Sequence, residues 1–262
     1  MKAITDIFYT PDNRLSQSLD LYLPEGVEEF PTFVYFHGGG IVNGSKKGKT
    51  ASVLSEYLTA HGIALVSVNY RLYPHAHYPD FVYDAAASVA WTVKHISEYG
   101  GSGKVFVGGS SAGGYLSMML CFDKKYLGLH NLKAADLAGF IHDAGQPTAH
   151  FNVLKERGID SRRVIVDETA PLYYIGQDSK YAPMLFIVSD NDMKNRYEQT
   201  QLVLSTLKHF EYDQSKIDYK LMHGGHCQYN ATVDENGQSI FGDLIESFIK
   251  ENGEWRLDTP TY

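Results

Sequence analysis

Lys104-Val105-Phe106-Val107-Gly108-Gly109-Ser110-Ser111-Ala112-Gly113-Gly114 reads as an apolar strand that runs into a glycine-flanked serine and then into a helical pattern. A serine in Gly-x-Ser-x-Gly between a strand and a helix belongs on a tight, strained turn at the carboxyl edge of a sheet, with its hydroxyl presented as a nucleophile. Gly109 and Gly113 leave room where a Cβ would collide with neighbouring backbone. The bland alternative is a glycine-rich turn that binds phosphate at a helix N-terminus. The rest of the chain decides between the two.

Outward from this stretch, short β-rich runs alternate with helical patterns. Strands are expected at Ile4 to Tyr9, Leu19 to Leu23, Thr32 to Phe36, Ala64 to Val68, Lys104 to Val107, Leu137 to Ile141, Met184 to Val188 and Ile217 to Met222. Runs such as Phe33-Val34-Tyr35-Phe36 and Leu185-Phe186-Ile187-Val188 are continuously apolar, as parallel strands covered on both faces are. The first two runs mix in polar residues and read as an antiparallel edge. Helical spacing recurs from Val82 to Ile96, stopping before Gly100-Gly101, and from Phe241 to Ile249; helices also fit Lys49 to His61, the stretch after Ser111, and Tyr197 to Phe210. This alternation implies right-handed crossovers and one α/β domain over residues 1–262, with a mostly parallel eight-stranded sheet and helices on both faces. Between the strands ending at Ile141 and starting at Met184 lie about forty residues of weak periodicity, too long for an ordinary connection. Phe151, Val153, Leu154, Leu172, Tyr173 and Tyr174 make this segment too apolar for a free linker, so residues 143–182 are expected to form a small cap over one end of the sheet.

A second glycine motif, His37-Gly38-Gly39-Gly40, follows another apolar strand. Its backbone N–H groups can converge on one point and stabilise an oxyanion; Gly39, Gly40 and Ala112, the residue after the serine, are the candidate donors. His37 is expected to hold the loop rather than move protons. A serine nucleophile needs a base. Of eleven histidines, His223 and His226 follow a late strand in His223-Gly224-Gly225-His226; His226 is favoured because the two glycines let the loop turn back, and His223 is the runner-up. The acid that orients the imidazole is expected just beyond Met184 to Val188, in Ser189-Asp190-Asn191-Asp192. Asp192 is favoured because it lies further into the loop, and Asp190 stays open. The order Ser111, Asp192, His226, each beyond a strand, together with the glycine loop beyond a fourth, favours the nucleophile over the phosphate-binding turn.

Composition sets the outer limits. The chain has 262 residues, 44% apolar and 21% charged, which suits a globular domain with a sizeable core. Its formal charge of −8 disfavours nucleic acid as a partner. Cys121 and Cys227 are too few for a disulfide scaffold and lack zinc-site spacing, so a reducing cytoplasm is expected. Met1 to Asp6 does not read as a secretory signal, and no apolar stretch approaches the roughly 20 residues of a membrane span. A small-molecule substrate is therefore expected, with no metal, cofactor or membrane partner; pairing into a homo-oligomer stays open.

These residues resemble the α/β-hydrolase superfamily, in the carboxylesterase and acetylesterase branch similar to the hormone-sensitive-lipase-like group. The resemblance is carried by His37 to Gly40, Asn69-Tyr70-Arg71-Leu72 with Pro74 and Pro79, Asp84, Gly109 to Gly114, Asp192 and His226, so it runs from about residue 19 to the C-terminus. It implies the α/β-hydrolase fold, a Ser111–Asp192–His226 triad, and a scaffold role for Tyr70, Arg71 and Asp84. Only 36 residues precede His37, which implies that the group's long N-terminal lid is absent and that the chain is similar to compact esterases, themselves resembling kynurenine formamidase and sugar-ester deacetylases. Departures are Ile41 where an aromatic residue often follows the glycines, which bears on the acyl pocket, Ser189 where glycine is common, and Cys227 after His226. The expected activity is hydrolysis of short-chain esters, acetyl first, of small alcohols or sugars. The same three residues also suit a small-amide hydrolase of formamidase, amidase or peptidase type. A non-catalytic small-molecule binder is the reading from another class.

Overall fold

The apolar runs lie side by side in one eight-stranded sheet in a computed structural model that describes residues 1–178 and 180–253. The strands are β1 (Lys2–Phe8), β2 (Ser18–Leu23), β3 (Phe30–Phe36), β4 (Ala64–Val68), β5 (Gly101–Ser110), β6 (Gly139–Asp143), β7 (Met184–Asn191) and β8 (Ile217–Gly225). Their order is β1-β2-β4-β3-β5-β6-β7-β8. As expected, the first two are the antiparallel edge: β1 pairs antiparallel with β2, and β2 with β4, while every other pairing is parallel.

The helices are α1 (Lys49–Ala60), α2 (Asp80–His95), α3 (Ala112–Phe122), α4 (Lys124–Gly128), α5 (Phe151–Glu156), α6 (Arg196–His209) and α7 (Ile240–Asn252). The strand period of two separates their packing partners. Val34, Phe36, Val66, Val107, Phe140 and Phe186 face a core built with α2, α3 and α6, whereas Phe33, Tyr35, Leu65, Phe106, Ile141 and Ile187 face α1 and α7. Helices thus cover both faces, and the continuous apolarity of the central strands follows from that. Among the described residues no helix is long and apolar enough to cross a membrane.

The strands differ from the sequence reading mainly at their ends. β6 runs two residues later than expected, because a 3-10 turn at Ala134–Asp136 delays entry into the sheet and its last two residues, His142 and Asp143, are polar yet buried. β5, β7 and β8 likewise extend beyond their apolar centres. Hydropathy stops short wherever a strand's carboxyl end turns polar to meet a site. Asp143 therefore belongs to the sheet rather than to the following segment. That segment carries α5 and a 3-10 turn at Pro171–Tyr174, and residues 144–150 are all buried.

Candidate active site

Ser111 sits between β5 and α3 with φ 56° and ψ −110°, a conformation that a non-glycine residue adopts only under constraint. The constraint is visible. The Ser111 N–H donates to the Asp143 carbonyl at 2.8 Å, and the turn is pressed against β3 so closely that a Cβ on Gly113 would lie 1.9 Å from the Phe36 carbonyl oxygen, and one on Gly109 2.5 Å from it. Both flanking glycines are thus required by contact as well as by pattern.

His226 closes on this serine from the loop after β8, with Nε2 2.8 Å from Ser111 Oγ. Its Nδ1 lies 2.5 Å from Asp192 Oδ1. Because an ionised carboxylate only accepts, the imidazole carries its proton on Nδ1 and offers Nε2 to the serine hydroxyl. The Asp192 side chain has no solvent exposure and also accepts from the backbone N–H groups of Met193 and Ser189. Burial alone would raise its pKa, but the bonds from His226 and those N–H groups outweigh it and hold the carboxyl below the usual range. The runner-up residues form a pair of their own: His223 Nδ1 lies 2.6 Å from Asp190 Oδ2, and the His223 side chain is 90% exposed. The sequence-chosen residues Ser111, Asp192 and His226 meet, while Asp190 and His223 meet each other at the surface.

The glycine loop faces the serine. Gly39 and Gly40 have φ of +107° and +63°, and among the described residues neither N–H donates a hydrogen bond. The Ala112 N–H opens α3, where no helical carbonyl is in reach. The loop is fixed from behind: the His37 ring stacks on Tyr70 at 4.4 Å, its Nδ1 donates to the Gly38 carbonyl at 2.7 Å, and burial lowers its pKa to about 4, leaving it neutral. The Tyr70 hydroxyl donates to the His37 carbonyl at 2.7 Å, and Arg71 forks onto Asp84 with two bonds of 2.8 Å. Ile41 turns into the core at 1% exposure, and Val42 lines the cavity in its place.

Behind the serine lies a polar network that the sequence did not disclose. The buried Asp143 carboxylate accepts from the Tyr229 hydroxyl and, at 2.7 Å, from Asn230 Nδ2, which also donates to Ser110 Oγ at 2.7 Å. Burial pushes Asp143 above the usual carboxyl range in spite of these bonds. Asp143 thus grips the nucleophile turn through its carbonyl and the His226 loop through its side chain. A signal existed, since a polar residue one step past an apolar strand marks the sheet's functional edge, but the expected strand ended two residues too early. Cys227, with φ +52°, places Sγ 3.7 Å from His226 Nε2, and burial keeps the thiol protonated.

Ser111, His226, the glycine loop, Phe151 and Met193 border a cavity of about 440 Å3. Asn152 Nδ2 donates to the Gly40 carbonyl, tying the segment between β6 and β7 to the loop.

The BD-FAE family model matches residues 19–137, which hold the glycine loop and Ser111. Among curated proteins the chain is 35% identical over 132 residues to "Probable carboxylesterase 7" of Arabidopsis thaliana, covering 46% of this chain and 42% of that protein. It is 38% identical over 102 residues to "Carboxylic ester hydrolase LipN" of Mycobacterium tuberculosis, covering 38% and 27% respectively. The chain thus spans less than half the length of these relatives. Similar solved structures include a truncated carbohydrate esterase from gut microbiota, with TM-score 0.76, 16% identity and 97% of each chain covered. Another is the propionate-bound esterase Est2 of Thermogutta terrifontis, with TM-score 0.73, 19% identity and 98% of this chain and 97% of that one covered. At such identities these two establish the fold.

Proposed function

We propose that this chain, an α/β-hydrolase of the carboxylesterase branch, is a serine hydrolase that cleaves small carboxylic esters through an acyl-enzyme. One observation carries the reading: the unbroken line from Asp192 through His226 to Ser111 Oγ, at 2.5 Å and 2.8 Å, opposite the Gly39 and Gly40 N–H groups, which donate to nothing else among the described residues. Ser111 Oγ attacks the ester carbonyl carbon while its proton passes to His226 Nε2, and Asp192 stabilises the resulting imidazolium. The N–H groups of Gly39, Gly40 and Ala112 receive the carbonyl oxygen as it becomes negative. When the tetrahedral adduct collapses, the C–O bond to the alcohol breaks and His226 returns the proton to the departing oxygen. Water then repeats the sequence on the acyl-serine, releasing the acid and restoring Ser111.

Short acyl groups, acetyl first, suit the cavity of about 440 Å3 in which Ser111 and His226 lie. A propionate-bound structural neighbour supports the same range, and a carbohydrate esterase neighbour supports a sugar or similar ring as the alcohol. Two free cysteines accord with a reducing cytoplasm. A series of 4-nitrophenyl esters tests the acyl claim: kcat/KM is expected to peak at acetate to butyrate and to fall for longer chains. A value still rising beyond about eight carbons, more than a pocket of this size holds, overturns it.

A further inference from the structure

A second cavity, of about 360 Å3, lies beside the active-site cavity, and Phe151 and Met193 are walls of both. Its charged lining is wholly cationic: Arg162, Arg163, Lys194 and Arg196, with no Asp or Glu among them. In a chain of formal charge −8 this concentration of one sign runs against the whole.

Arg196 carries the argument. It is only 4% exposed, yet among the described residues no carboxylate lies within ion-pair distance of its guanidinium. One Nη donates to the Ala144 carbonyl and the other reaches Gln146 Oε1 at 3.5 Å, so two of five N–H donors are used, both on neutral oxygens. Asp192 acts on it only through space, and its own oxygens are committed to His226 and backbone. Burial weakens the guanidinium's hold on its proton, but arginine remains charged at any pH of interest. A buried charge without a counter-ion is costly, and it persists where something else supplies the opposite charge. Arg163 and Lys194 add two exposed cations whose side chains make no ion pair among the described residues, whereas Arg162 is engaged by Asp160. The cavity also meets the N-terminus of the 14-residue helix α6, whose dipole adds to the same sign.

We propose that this cavity is the alcohol-side subsite and that it receives an anionic group, so that the substrate is an ester whose alcohol carries a carboxylate or a similar small oxyanion. The anion is the counter-ion that Arg196 lacks, and Arg163 and Lys194 draw it in. This proposal rests on the ester-hydrolase reading above, and the test separates the two.

The 3- and 4-acetoxybenzoates are compared with the corresponding acetoxybenzamides, which match them in shape but are neutral, each rate being normalised to the ester's alkaline hydrolysis. At low salt, kcat/KM for at least one acid is expected to exceed that of its amide by about tenfold, mainly through KM, as one charge-assisted contact gives. The ratio should fall several-fold in about 0.5 M salt and in the double variant Arg163→Gln/Lys194→Gln, which removes the two exposed cations and keeps the share that the buried Arg196 contributes. A ratio at or below one for both isomers, or one that neither salt nor the double variant lowers, overturns the proposal and leaves Arg196 as a strut between α6 and the Ala144 carbonyl. Failure to cleave any of the four esters overturns the hydrolase reading instead.

Discussion

His226 and His223 are three residues apart and each holds an aspartate, yet only one histidine can take the serine proton. What separates them is burial. Asp192 is enclosed, keeps its charge through bonds from His226 and two backbone N–H groups, and so fixes one imidazole tautomer facing Ser111. Asp190 and His223 lie in water, where such a pair is screened and weak. Asp192→Asn is accordingly expected to lower kcat/KM by roughly 10³- to 10⁴-fold, whereas Asp190→Asn should stay within about threefold. Steady-state kinetics on 4-nitrophenyl acetate checks this, and a larger loss at Asp190 would reverse the assignment. Ser111 and His226 were legible in the sequence because a tight turn leaves glycines around them. Arg196 was not legible, because its burial and its lack of a counter-ion are set by segments far apart in the chain.

At the scale of the elements, the site is assembled where β5, β6, β7 and β8 end together, and Asp143 at the end of β6 is the joint. Its carbonyl holds the turn after β5, and its carboxylate holds Tyr229 and Asn230 beyond β8. Asp143→Ala would leave the buried Tyr229 hydroxyl and Asn230 amide without that acceptor. Each such loss costs roughly 1–3 kcal/mol, so a destabilisation of about 2 kcal/mol or more is expected, read as a lower urea midpoint at constant slope. An unchanged midpoint would show that the network does not brace the loops. The central strands were readable because runs such as Phe33 to Phe36 and Leu185 to Val188 are apolar at every position, as two-sided burial demands. Their carboxyl ends were not, since His142, Asp143, Ser189 and Asn191 break the hydropathy at the places where the sheet reaches the site.

The whole molecule keeps three histidines neutral in its interior. Burial takes His37 from the ordinary 6.5 to about 4 and His142 to about 3, and burial together with nearby Arg196 takes His150 to about 3. Below about pH 6.5 the unfolded chain binds protons that the folded chain refuses, so stability is intact above that pH and drains as pH falls to about 4 for His37 and about 3 for the others. Asp192, held low, adds a loss at more acid pH, while Asp143, pushed up, opposes the trend. Urea unfolding should therefore show a lower midpoint at about pH 4.5 than at about pH 7.5, and a midpoint that is equal or higher would contradict the buried neutral histidines. The two-faced sheet and the nucleophile turn could be read from spacing, the imidazole and carboxylate only with His223 and Asp190 still open, whereas the cationic cavity beside them is a property of the assembled surface. The most direct trial of the hydroxyl–imidazole–carboxylate line is a fluorophosphonate probe followed by intact mass and peptide mapping. One adduct per chain, on Ser111, is expected, absent from Ser111→Ala and strongly slowed in His226→Ala. No adduct on the folded protein, or an adduct on another residue, would mean that Ser111 is not the nucleophile.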